Sequence, residues 1–180
     1  MTNGWLRRIT IGSVPLLAAG VFASGIAGQT APELSFLRAV GDHYDLPADE
    51  VEILAEWQMP VSEIPVALAI ADRAGISPDA LVAARRSGRA WATLAARYGL
   101  EVGFFHVDFD EVPAPVAALY EELSALPRAR WSEVSVGDAQ AVFLANVRFL
   151  SEYTDLPPSE VAAALAEHGT PAEALRAISP

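Results

Sequence analysis

Val40-Gly41-Asp42-His43-Tyr44-Asp45-Leu46-Pro47 carries the grammar of the whole chain. An apolar residue closes a helix, an acid follows two positions on, and Leu46 arrives six positions after Val40 to plug a core at the turn. Pro47 then fixes the entry of the next helix, because its locked φ suits a first turn whose N–H groups lack partners anyway. The frame returns thirty residues later as Ile70-Ala71-Asp72-Arg73-Ala74-Gly75-Ile76-Ser77, with Pro78 next. It returns again as Leu150-Ser151-Glu152-Tyr153-Thr154-Asp155-Leu156-Pro157. The best agreement is residues 45–51 against residues 155–161. A spacing of this size is that of one helix-pair unit. The expected fold is therefore all-α, with tandem helix-turn-helix-like pairs packed as a small bundle or solenoid.

Caps and periods fill in the remaining elements. Thr30-Ala31-Pro32-Glu33 is a capping box with proline in the first turn. The helix it opens places Leu34, Leu37 and Val40 on one face, with Phe36 beside them. A second helix follows Pro47 and turns Val51, Leu54 and Ala55 inward. The third starts at Ser62 and runs to Arg73, stopped by Gly75. Ser77-Pro78 begins a fourth, closed by Gly88, and a short fifth covers Trp91 to Tyr98, ended by Gly99. Further helices are predicted from Pro115 to Leu126, from about Asp138 to Tyr153, from Pro158, and from Pro171 onward.

Between the repeat copies, Phe104-Phe105-His106-Val107-Asp108-Phe109-Asp110 alternates apolar and polar residues. That alternation predicts a short extended segment near residues 102–110, one edge strand. Pro113 and Pro115 mark a boundary between two linked lobes, an N-terminal one over residues 28–112 and a C-terminal one over residues 113–180, which can also pack as one body.

The first residues carry an address. Arg7 and Arg8 precede an apolar run from Ile9 to Ala27, and no further charge occurs before Glu33. This is the layout of an export signal, with Gly25-Ile26-Ala27 offering the small side chains a signal peptidase requires and a cut before Gly28. A retained anchor is the alternative, opposed by Gly12, Ser13, Pro15 and Gly20, which dilute the run. Either way the arginines stay inside and the body faces out, making the protein periplasmic or secreted. Membrane attachment is expected only if the segment stays uncleaved. The twin-arginine route fits less well, because Thr10 stands where a large apolar residue is wanted.

The formal charge is −11. Removing residues 1–27 deletes two arginines and no acids, which takes it to −13. Such a surface repels nucleic acid and anionic membranes and suits basic partners. All the basic residues are arginine, a pattern that points to a GC-rich genome. With no cysteine, thiolate nucleophiles, zinc–thiolate sites and iron–sulfur clusters are excluded, and no disulfide staples the fold.

Ser77 to Leu100 reads SPDALVAARRSGRAWATLAARYGL. It is similar to the helix-turn-helix pattern, with Gly88 in the turn and Trp91, Leu94, Ala95, Gly99 and Leu100 in the second helix. Arg85, Arg86, Arg89 and Arg97 add local positive charge of the kind phosphates attract. The pattern equally describes packing, with Trp91 and Leu94 anchoring a three-helix core. The same stretch resembles a family of uncharacterised exported bacterial helical proteins in which such units recur, followed by an "LSExxGxPPxEV" unit at whose start this chain has Leu150-Ser151-Glu152-Tyr153. The resemblance spans residues 33–105 and 131–178 and implies a helical, exported protein. It carries no activity.

Other motifs weigh little. His106, Asp108 and Asp110 would project from one face of an extended chain, close enough to share a cation. The competing reading is the wet face of an edge strand whose Phe105, Val107 and Phe109 pack inward. His43, between Asp42 and Asp45, reads as a charge-paired helix end, and His168 before Gly169 as a polar terminus. Trp57, Trp91 and Trp131 read as helix packing. Glu121 and Glu122 form the wet face of a helix. No nucleophile elbow, zincin motif or phosphate loop occurs. No catalytic, cofactor-binding or metal residue is assigned and no cofactor is expected. The leading expectation is a non-enzymatic exported domain for protein–protein or envelope interaction. The alternatives are a helix-turn-helix DNA-binding regulator and an extracytoplasmic metal-binding module.

Overall fold

Thr30 starts the folded body as its capping box requires. Its hydroxyl accepts the Glu33 amide at 3.4 Å, and the Glu33 carboxylate accepts the Thr30 amide at 2.7 Å. The computed structural model describes residues 29–179. The export signal expected over residues 1–27 lies outside the described residues.

Among the described residues the chain forms nine α-helices. In order they are α1 (Ala31–His43), α2 (Ala48–Glu56), α3 (Ile64–Ala74), α4 (Pro78–Arg86), α5 (Trp91–Arg97), α6 (Ala117–Ser124), α7 (Asp138–Thr154), α8 (Pro158–His168) and α9 (Pro171–Ile178). Short 3-10 turns cover Val61–Glu63, Val102–Phe104, Ala114–Val116 and Arg128–Glu133. The fold is all-α, a small bundle. No described helix is long and apolar enough to cross a membrane.

The turn read from residues 40–47 has a physical signature at all three of its sites. Asp45, Gly75 and Asp155 each adopt the left-handed conformation, with φ of 52°, 65° and 57°. Past each stands the half-buried apolar plug, Leu46, Ile76 or Leu156. At the first two the plug's amide reaches back across the turn, Leu46 to the Gly41 carbonyl at 2.9 Å and Ile76 to Ala71 at 3.0 Å. Leu100 does the same to Ala95 at 3.0 Å, after the left-handed Gly99. These bonds satisfy carbonyls that a helix end leaves free. Gly41 has a further duty. A Cβ there would collide with Val51, so the glycine permits α1 and α2 to approach closely.

The bundle is organised around α7, which packs against α1, α3, α5, α8 and α9. Its Phe149 meets Phe36 of α1 edge-on, ring centroids 5.5 Å apart. Buried Asn146 donates its amide to the Ser62 carbonyl at 2.7 Å and the Val142 carbonyl at 2.8 Å, tying α7 to the turn before α3. α9 packs on α1 and α7 on α3, so helices from both sides of the expected boundary meet in one hydrophobic core.

The expected edge strand is not formed, and no strand occurs among the described residues. The alternation sorts burial only in part: Phe105 and Val107 are buried, Phe109 is half-buried and Asp108 and Asp110 are exposed, but His106, expected on the wet face with the two aspartates, is half-buried. What is missing is a neighbouring strand to complete a ladder. The Tyr120 hydroxyl substitutes for one rung, accepting the Val107 amide at 2.9 Å and donating to the Val107 carbonyl at 2.6 Å.

Candidate functional site

The helix-turn-helix-like unit is fastened to α7 through Arg85. Its Nε lies 2.7 Å from Glu63 and its Nη1 2.6 Å from Asp138, while Nη1 also donates to the Arg89 carbonyl at 3.1 Å. The guanidinium lies over the Trp91 ring, 5.2 Å from its centroid. Glu63 takes a further bond from the Trp91 indole at 3.1 Å. Hydrogen bonding to Glu63 holds Arg85 firmly in its charged form. Of the four arginines that suggested phosphate contact, Arg85 is therefore committed internally, whereas Arg86, Arg89 and Arg97 are exposed. Trp91 and Trp57 are buried as packing residues, and Trp131 is half-buried.

The segment after α5 runs as a strap over α7. The His106 ring lies between two aromatics, Tyr120 at 5.1 Å and Trp131 at 4.9 Å between centroids, both within 34° of parallel. Arg148 on α7 holds the strap by donating to the His106 carbonyl at 2.8 Å, and the Trp131 indole donates to the Leu123 carbonyl at 3.0 Å. Burial lowers the His106 pKa; Asp108 opposes that shift, and Arg128 and Arg148 reinforce it. Burial likewise raises the Tyr120 pKa. The three residues considered for a cation do not converge. Asp108 lies 3.8 Å from His106 Nδ1 with its side chain 95 % exposed, and no trio of His, Asp or Glu among the described residues is placed to hold a metal.

His43 finds its partner at long range. Its Nε2 lies 3.3 Å from the Glu152 carboxylate of α7, and its ring packs edge-on against Phe149. The neighbouring Asp42 and Asp45, expected to pair with it, form no ion pair with it in the fold.

Two open concavities flank the strap and share Gly99, Leu100 and Glu101. One is a groove of about 570 Å³ between α5 and residues 132–136, with Ala92, Ala96, Leu100, Val102, Val134 and Val136 among its lining. The other is a cleft of about 510 Å³ on the α3 and α7 side, lined by Arg73, Arg148, Glu101, Leu100 and Phe104 and by the backbone of Gly99 and Gly103. No family model matches the chain, and no curated protein or solved structure matches it significantly.

Sequence reasoning missed Asp138, Tyr120 and Arg148 as organising residues. Arg148 did leave a signal: it is the lone charge within the apolar run AVFLANVRFL of α7.

Proposed function

We propose that the chain is an exported, non-enzymatic helical domain that binds a protein partner in the groove between α5 and residues 132–136. The observation that supports this reading most is the groove itself, apolar along its floor and open at the surface. An apolar groove is a recurring seat for the apolar side chains of a partner segment. The fitting occupant is a segment with an apolar side chain flanked by basic ones, because the chain is strongly acidic and Glu101 stands at the groove margin. Export draws on Arg7, Arg8 and the uncharged run after them, and on the resemblance of residues 77–100 to exported helical proteins.

Cell fractionation with intact-mass measurement tests the address. A periplasmic or secreted species beginning at Gly28 supports it, and a cytoplasmic full-length species overturns it. Capture from envelope extract tests the groove. Saturable binding should be lost on Ala96→Glu, which places a charge in the groove from an exposed helical position. Equal capture by both forms overturns the groove reading. Salt-sensitive retention of duplex DNA would favour the helix-turn-helix regulator instead.

A further inference from the structure

Only two of the described arginines are withdrawn from solvent, Arg85 and Arg148, and their surroundings differ. Arg85 is matched by two carboxylates. Arg148 has none: its Nη2 donates to the His106 carbonyl, and its guanidinium lies 5.6 Å from the Phe104 ring centroid. A half-buried cation with no carboxylate in ion-pairing contact carries a desolvation cost that a directly bound opposite charge would offset. Acids outnumber bases 23 to 12 in this chain, so carboxylates were not scarce. Arg148 instead faces the cleft of about 510 Å³, where Arg73 at the end of α3 also faces. The Arg73 side chain makes no hydrogen bond or ion pair among the described residues.

We propose that this cleft binds a small organic monocarboxylate, its carboxylate held by Arg73 and Arg148 and its apolar body resting on Leu100 and Phe104. Planar guanidinium groups match a carboxylate's two oxygens, and two of them converging give both charge and direction. Glu101 lines the same cleft, so the three side chains sum to a single positive charge. A monoanion neutralises that charge, whereas a phosphate dianion would leave the filled cleft net negative beside Glu101. The volume falls in the range of small-ligand sites. Gly99, left-handed at φ 75°, has open space where a side chain would stand, which leaves its backbone accessible from the cleft. The cleft shares Gly99, Leu100 and Glu101 with the protein-binding groove, but Arg73 and Arg148 line the cleft alone, so the site would stand if that groove bound nothing.

The test is titration of the isotope-labelled chain with benzoate, reading the Gly99 and Gly103 amide resonances, with affinity measured by calorimetry. Saturable shifts at both amides are expected. Arg73→Gln changes an exposed residue, so the melting temperature should hold while affinity falls about tenfold or more. Arg148→Lys keeps the charge but not the planar fork and should also weaken binding. Absence of shifts, or undiminished binding by Arg73→Gln, overturns the site. Tighter binding of inorganic phosphate than of benzoate overturns the assignment to a carboxylate.

Discussion

A carboxylate oxygen of Asp138 accepts the Trp91 amide at 2.7 Å across 47 residues of sequence, and so caps a helix that its own chain neighbour cannot cap. Ala90 occupies the N-cap position of α5 in the extended conformation such a residue needs, φ −67° and ψ 146°, but has no side-chain acceptor. The second Asp138 oxygen binds Arg85, which in turn binds Glu63. One acid at the first position of α7 thus orders the start of α5 and the end of α4.

This arrangement makes Asp138→Ala costly. The cap contributes about 1 kcal/mol and the charged bond to Arg85 roughly 1.5–3 kcal/mol, so a loss of about 2–4 kcal/mol is expected in urea unfolding. Asp138→Asn retains an acceptor for the Trp91 amide and should lose less. Adding Ala90→Ser to Asp138→Ala supplies a local cap and should restore about 1 kcal/mol. An Ala90→Ser effect of equal size in the wild-type background would show that Asp138 does not serve as the cap.

The close approach of α1 and α2 predicts an asymmetric response to adding one methyl group. Gly41→Ala drives a Cβ into Val51 and should cost about 1–3 kcal/mol by overpacking. Gly41→Ala with Val51→Ala should recover much of that loss, because the colliding methyl is removed. At Asp45 and Asp155 the strain is in the backbone, with φ of 52° and 57°. Replacing either with glycine should stabilise the fold by about 0.5–1 kcal/mol, seen as a raised melting temperature.

Helix starts and stops were legible because their causes are local. Thr30, Pro47, Ser77-Pro78, Gly75 and Gly99 act within one turn of their own positions. The strand expected at 104–110 does not form, for the opposite reason. Alternation reports which side chains are buried, but a strand also needs a neighbour, and no residue pattern inside the segment shows that a tyrosine thirteen positions on will stand in for one. The partnerships of Asp138 with Trp91, His43 with Glu152 and Arg148 with His106 are tertiary in the same way. Tyr120→Phe tests the substitute rung. It leaves the buried Val107 amide and carbonyl without that partner, so about 1–3 kcal/mol should be lost. Exchange of the Val107 amide should speed up more than that of the α3 core amides.

His106 should make stability depend on pH in one direction. Burial between Tyr120 and Trp131 lowers its folded pKa below the ordinary value of 6.5; Arg128 and Arg148 push the same way, and Asp108 pushes against them. In the window between the lowered value and 6.5 the unfolded chain binds more protons than the folded one, so stability rises with pH there. The contribution is fully present above about pH 6.5 and is lost as pH falls through the folded pKa. His106→Phe keeps an aromatic ring between Tyr120 and Trp131 but cannot take a proton. Its melting temperature should therefore fall less than that of wild type between pH 7 and pH 5. Parallel curves for the two proteins would mean that the acid sensitivity lies in the carboxylates, and that the His106 ring accepts its proton equally well folded and unfolded.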